Sequence, residues 1–339
     1  MKNHRCVENF KSLAYVTTGL LLSHLSWAIV PEHKVTEESV HIAGIDGTNP
    51  IVYDNDWWFD VFDNNYLWAQ TSLGKANLVG NIVTRDMWDW EKGYLYPMKK
   101  CVNDASKAIA RARESGIQGV PDLTIGSDQI LLAPETGRIE DTVSISTAGS
   151  ELIIREALKA SPQKPLVVIA GGPLTTIANA LLIEPDIGKN MVVFSLTVSY
   201  YGYNGKDGWS AYVVAKRTQL VEWATRQFWE NGSVFRPEHF NQLPDNPFCN
   251  EMKAFIKTNL GMANQLGDGA PLVWMFDPTC WRGTRTRKAV WKGKAVEFVL
   301  SKDGDVLDIP REKTDLNQCR KEFFKVMENP AAYHGKNSE

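Results

Sequence analysis

The sequence predicts an α/β protein: a mainly parallel central sheet with helices on both faces and a small antiparallel addition near the carboxyl terminus. Three observations lead there. Short apolar runs at Ile51–Tyr53, Asn77–Thr84, Pro165–Ala170 and Met191–Val198 alternate with stretches of helical spacing. The later runs are apolar without alternation, as in strands covered on both faces. Beyond residue 285 the pattern changes to the short segments Ala289–Trp291, Ala295–Leu300 and Val306–Ile309, with a turn at Lys302–Gly304.

Each element has its own reason. Ile51–Tyr53 follows the turn Gly44–Gly47 and is the first strand. Asn64 and Asn65 offer a cap for a helix continuing through Tyr66. Asn77–Thr84 is the second strand. Cys101–Ser115 repeats Val102, Ala105, Ala108, Ile109 and Ala112 at helical spacing and stops at Gly116. Leu123–Gly126 is a short strand. Ser150–Ala160 is an amphipathic helix with Leu152, Ile153, Ala157 and Leu158 on one side. Pro165–Ala170 is a buried strand broken by Gly171-Gly172-Pro173, and Leu174–Leu182 is the next helix. Met191–Val198 leads into a loop from Tyr200 to Trp209, and Ser210–Phe228 is expected to be helical. Glu251–Leu260 is a helix, Leu272–Phe276 a last core strand, and Cys319–Met327 a closing helix.

The chain has 339 residues, 43% hydrophobic and 23% charged, with a net charge of −3. That is enough apolar material for one large core. No block of Lys or Arg stands out, which argues against nucleic-acid binding. The first 28 residues read as an export signal: basic Lys2, Arg5 and Lys11, an apolar stretch from Leu13 to Leu25, and small Ser26 and Ala28 at the cleavage positions. An ordinary amphipathic first helix is the alternative. The apolar run is too short to span a membrane well. The expectation is a signal over 1–28, one domain over 29–339, and a secreted or periplasmic location. Four cysteines outside the signal, Cys101, Cys249, Cys280 and Cys319, suit an oxidising compartment. They allow three pairings, and free buried thiols are the alternative. The oligomeric state, a homo-oligomer included, stays open.

The chemistry concentrates at the strand ends. Asp54, Asp56, Asp60 and Asp63 follow the first strand within ten residues, interleaved with aromatics. In a parallel sheet the glycine turn at Gly171–Gly172 and the acid Asp277, read as a strand end, fall on the same edge. Asp56, Asp63, Asp277 and a backbone carbonyl of the glycine turn make an oxygen cage suited to Ca²⁺. Such an ion holds a water and lowers its pKa, with a carboxylate as base. Trp57, Trp58 and Trp209 lie near these loops, where rings stack on bases or sugars; core packing is the other role for each.

These residues resemble a known family, the inosine–uridine-type nucleoside hydrolases. Gly172-Pro-Leu-Thr-Thr-Ile-Ala-Asn-Ala-Leu-Leu-Ile-Glu-Pro185 is similar to the family's GPLTNIAxALxxEP segment. Asp54-Asn-Asp56 and Asp60-Val-Phe-Asp63 resemble the longer form of its amino-terminal aspartate motif, DTDxGxDxDD. Asp277 stands in the order and distance of its last metal-binding aspartate. The resemblance covers about residues 50–285 and implies a Rossmann-like sheet and a Ca²⁺-dependent N-glycosidase acting on a nucleoside or sugar ligand. It implies Asp56 as metal ligand and general base, with Asp63, Asp277 and Gly171 completing the metal site. Asn204 falls where the family binds ribose. Four departures alter the sugar and base contacts, one of them Ser210-Ala-Tyr212 in place of the family's Glu-Phe-Asn ribose segment after Asn204. The ribose-gripping acid beside Asp63 is Phe62, with Asp60 as its substitute. The asparagine of GPLTN is Thr176, and the histidine before the last aspartate is Phe276.

Two other readings stand beside this one. The altered ribose contacts suit a non-catalytic sugar- or nucleoside-binding protein on the same fold. Val52-Tyr-Asp54-Asn-Asp56, with Gly267-Asp268-Gly269, also fits the DxD pattern of haloacid-dehalogenase-type phosphatases, in which Asp54 would be the nucleophile.

Overall fold

The computed structural model describes residues 45–57, 62–86, 96–195, 207–223, 235–258, 273, 275–281, 283–309 and 315–334. The expected signal, Asp60, Trp58, Asn204 and most of the aromatic segment 87–97 lie outside these residues.

Among the described residues nine strands form one sheet in the order β3-β2-β1-β4-β5-β6-β9-β7-β8. They are β1 (Pro50–Asn55), β2 (Asn77–Val83), β3 (Leu123–Ile125), β4 (Leu166–Ala170), β5 (Met191–Ser195), β6 (Gln219–Trp223), β7 (Arg285–Trp291), β8 (Val296–Leu300) and β9 (Val306–Ile309). Every pair from β3 across to β9 is parallel, while β7 runs antiparallel to β9 and to β8. The expected parallel sheet with an antiparallel addition is therefore what forms. Arg287 joins the two parts, reaching Asp308 of β9 at 3.1 Å and Glu222 of β6 at 3.6 Å, both buried.

The helices are α1 (Asp63–Ser72), α2 (Met98–Glu114), α3 (Ala148–Lys159), α4 (Thr175–Ile183), α5 (Gly208–Arg217), α6 (Pro247–Thr258) and α7 (Leu316–Met327). They divide between the faces according to the period-2 alternation of the strands. Ile51, Tyr53, Val167, Ile169 and Phe194 face the core shared with α1, α2, α6 and α7. Val52, Val168, Ala170 and Val193 face the core shared with α3, α4 and α5. None of the described helices is long and apolar enough to cross a membrane.

Several expectations need correction. α1 begins two residues earlier than an Asn64 cap allows: Phe62 is its N-cap, and Asn64 and Asn65 are buried in its first turn. Leu158 is exposed, because the buried stripe of α3 runs through Leu152, Ile153 and Ala157. The helix expected over Ser210–Phe228 stops at Arg217, and Gln219–Trp223 becomes the inner strand β6. Thr218 turns extended there, and its hydroxyl donates to the carbonyls of Gly188 and Met191. The core strand expected at Leu272–Phe276 does not form. Val273, Met275 and Phe276 are helical, and the Asp277 amide donates to the Val273 carbonyl at 2.7 Å.

Candidate active site at the switch point of the sheet

From β1 the chain builds outward to β2 and β3, then returns to place β4 on the other side of β1. The two crossovers diverge there and leave a crevice beyond the strand ends, where ligands settle in open α/β sheets. Asp56 leaves β1 at this point and the Gly171–Gly172 turn leaves β4 beside it. The Gly171 amide donates to the Asp54 carbonyl at 2.9 Å, which continues the strand pairing into the turn. A Cβ on Gly172 would lie 2.9 Å from the Asp56 amide nitrogen and 3.1 Å from its Cβ. Only glycine permits this approach, and it holds Asp56 against the turn.

Trp57 follows with φ of 60°, the one positive-φ residue other than glycine among the described residues. A bulky residue in that region stores strain. Its surroundings hold it: the amide donates to Asn55 Oδ1, the indole Nε1 donates to the Ile82 carbonyl, and the ring packs on Tyr53 and Trp68. Trp57 thus points into the core and does not line the crevice, contrary to the pocket role expected for it.

Behind Asp56 a buried polar network joins β1, β2, α4 and α5. Thr84 donates to Asp54 Oδ1 at 2.6 Å and shares a hydrogen bond with Thr176, whose hydroxyl accepts from the Ser127 amide. Thr175 and Ser210 donate to Asp207 Oδ1 at 2.8 and 2.5 Å. The two threonines of the GPLT segment therefore serve two carboxylates. Burial pushes Asp54 up to about 7, against the Thr84 hydrogen bond and with help from the Asp207 charge. Burial also pushes Asp207 up to about 7, against hydrogen bonds from Ser210, Thr175 and the amides of Leu174 and Leu131. Asp54 is sealed in this network, so it offers no accessible nucleophile of the phosphatase kind. A cavity of about 150 Å³ adjoins the network, lined in part by Ser127, Leu131, Thr175 and Asn179.

A third acid, Asp86, is fully buried just past the end of β2. It and Asp56 both lie near the Cys101 thiol of α2. Burial lifts that thiol to about 11, a backbone hydrogen bond from the Asp86 segment opposes the rise, and the Asp56 and Asp86 charges add to it. The strand expected over Asn77–Thr84 stops short of Asp86, and Asp207 falls within the loop expected from Tyr200 to Trp209. The spacing Asp207 to Ser210 at a helix start was the available signal for the latter.

The other expected residues divide. Asp63 opens α1 close after Asp56 in the chain, and its side chain lies outside what is described. Trp209 is buried in α5, donates from Nε1 to Thr142 and packs on Trp291, so it serves the core. Asp277 does not join Asp56. The preceding Phe276 ring packs against Gly47, in the turn before β1, and against Tyr66. Gly47 lies beyond the amino end of β1 and Asp56 beyond its carboxyl end, roughly 20 Å apart at about 3.3 Å per strand residue. Asp277 instead caps the 3₁₀ turn Pro278–Cys280 and accepts from Thr279 and Gln318. Burial raises its carboxyl, but those hydrogen bonds outweigh the effect and hold it below the usual range.

Asp56 and the Gly171 turn fit one wall of a hard-cation site, yet Ca²⁺ takes six to eight oxygens. Among the described residues no three His, Cys, Asp or Glu side chains are placed to hold an ion. The Asp63 side chain is not among the described residues, so the expected set of Asp56, Asp63, Gly171 and Asp277 is not tested as a whole, and no step below is routed through an ion.

No family model matches the sequence, and no curated protein does. Solved structures do match. A purine-preferring ribonucleoside hydrolase from Gardnerella vaginalis superposes with a TM-score of 0.60 at 15% identity, over 84% of this chain and 100% of that one. A plant nucleoside hydrolase gives 0.59 at 12% identity, over 83% and 99%. An inosine–uridine preferring nucleoside hydrolase from Bacillus anthracis gives 0.52 at 12%, over 83% and 99%. The chain has the nucleoside hydrolase fold. The Rossmann-like sheet implied by the GPLT and aspartate motifs is thereby established, at an identity that speaks for the fold alone. Within this fold, the switch-point crevice holds Asp56 and its glycine turn, while Phe62 and Phe276 pack against other rings.

Proposed function

We propose that the protein hydrolyses the N-glycosidic bond of a nucleoside or related ribosyl compound in the crevice between β1 and β4. The close approach of Gly172 to Asp56 at the switch point is the observation that supports this best. Asp56 takes the proton of a water. The water oxygen bonds to the anomeric carbon as the carbon–nitrogen bond breaks, and the departing base takes its proton from solvent. Asp60 takes the place of the ribose-gripping acid lost at Phe62. Asn204 and Trp58 contact the sugar and base. The test is release of reducing sugar from a panel of ribonucleosides by the native protein and by Asp56→Asn.

Calcium dependence belongs to this proposal as a prediction: dialysis against a chelator should abolish release and added Ca²⁺ restore it. Export is proposed too; mass spectrometry of the expressed protein is expected to find a mature form beginning at residue 29, and an uncleaved chain would overturn it.

A second reading, a binding protein without turnover, is favoured by two placements. Phe62 is buried among Phe235, Phe240, Phe255 and Phe323, and the Asp277 carboxylate is taken up by Thr279 and Gln318. Nucleoside binding by calorimetry without any sugar release would select it.

A further inference from the structure

We propose that Cys280 and Cys319 form a disulfide that ties the turn carrying Asp277 to α7. The sequence leaves three pairings of four cysteines open, and the structure distinguishes them. Cys280 ends the 3₁₀ turn Pro278–Cys280, Cys319 lies in the first turn of α7, and both are fully buried. Their side chains hydrogen-bond to each other. The backbone brings them together: the Asp315 amide donates to the Cys280 carbonyl at 2.8 Å, and the Cys319 amide donates to the Asp315 carbonyl at 3.0 Å. The other two thiols are engaged elsewhere. Cys249 hydrogen-bonds with Tyr333 at 3.3 Å, and Cys101 lies by Asp56 and Asp86. Thiols already in contact need little backbone movement to reach bridging geometry.

The oxidant is a disulfide of the oxidised-glutathione class. One cysteine thiolate attacks it, forming a mixed disulfide and releasing one thiol. The second cysteine then displaces the other half. The two thiols give up two electrons and two protons, and the oxidant becomes two thiols. The hydrogen bond to Cys280, together with burial, raises the Cys319 thiol, so thiolate is scarce once the protein is folded. The exchange therefore belongs to folding, before α7 docks. The closed bridge then lies out of reach of reductants. It also fixes the segment in which Gln318 hydrogen-bonds Asp277 at 2.7 Å.

The test uses the full chain, refolded from denaturant in mixed oxidised and reduced glutathione. It is then denatured without reductant, its free thiols are blocked with iodoacetamide, and it is digested with trypsin. The expected product is the peptide 258–282 joined to 314–320, lighter by two hydrogens than the free pair, with the other cysteines carrying the blocking group. Blocking at both Cys280 and Cys319, or a bridge from either to another cysteine, overturns the proposal.

Discussion

On one face of the sheet the exit from β1 is met by hydroxyls and carboxylates; on the other it is met by rings. Asp54, Thr84, Thr175, Thr176, Asp207 and Ser210 form the polar side, against α4 and α5. Phe62, Tyr66, Phe235, Phe240 and Phe323 form the aromatic side, against α1 and α7. Phe62 and Phe276 stand where the resemblance implies an acid and a histidine, and they meet the same cluster: Phe62 touches Phe323, and Phe276 touches Tyr66, which stacks on Phe323. The polar side surrounds the turn that places Asp56; the aromatic side supplies core packing.

The contrast can be broken most sharply at Phe62. Phe62→Ala should cost about 3–5 kcal/mol in denaturant unfolding, as for other buried aromatics. Phe62→Asp should cost more, because the carboxylate would be buried among rings. A Phe62→Asp protein as stable as the parent would show that the position is a site and not a core.

On the polar side the expected effect is pH dependence. Asp54 and Asp207 titrate near 7 in the folded protein, above the roughly 3.9 of an unfolded aspartate. Between those values the native state holds protons that the unfolded chain has released. The stabilisation is complete below about pH 4 and is lost as pH rises towards 7, by about 1.4 kcal/mol per pH unit for each group. Asp54→Asn keeps an oxygen to accept from Thr84 and should remove about half of that slope. An unchanged slope would mean that Asp54 is not held neutral.

Gly172→Ala should cost about 1–3 kcal/mol through forced displacement of Asp56, and should lower any sugar release further than its stability loss explains. Smallest is Trp209→Phe, which loses the indole hydrogen bond to Thr142 and about 1 kcal/mol, with activity unchanged. Loss of activity without loss of stability would return Trp209 to the site.

The parallel sheet and the β1–β4 site were legible because buried strands and a close-packed glycine turn leave strong local marks at Ile51–Tyr53, Pro165–Ala170 and Gly171-Gly172. β6 was not, because Ser210–Phe228 has helix-compatible residues throughout and only its place between β5 and β9 makes Gln219–Trp223 a strand. Leu272–Phe276 is five apolar residues, and so short a run suits a buried strand or a buried helix equally. Asp277 went astray with it, since its place on the sheet edge depended on that strand. The network of Asp54 and Asp207 links residues more than 150 positions apart, and no local pattern marks such a pair.

The most direct measurement is reducing sugar released from ribonucleosides by the native protein and by Asp56→Asn, with folding of both checked by circular dichroism. The account predicts release by the native protein and a fall of about 10²–10⁴-fold in the folded variant. Equal release by both, or nucleoside binding with no release by either, would contradict it.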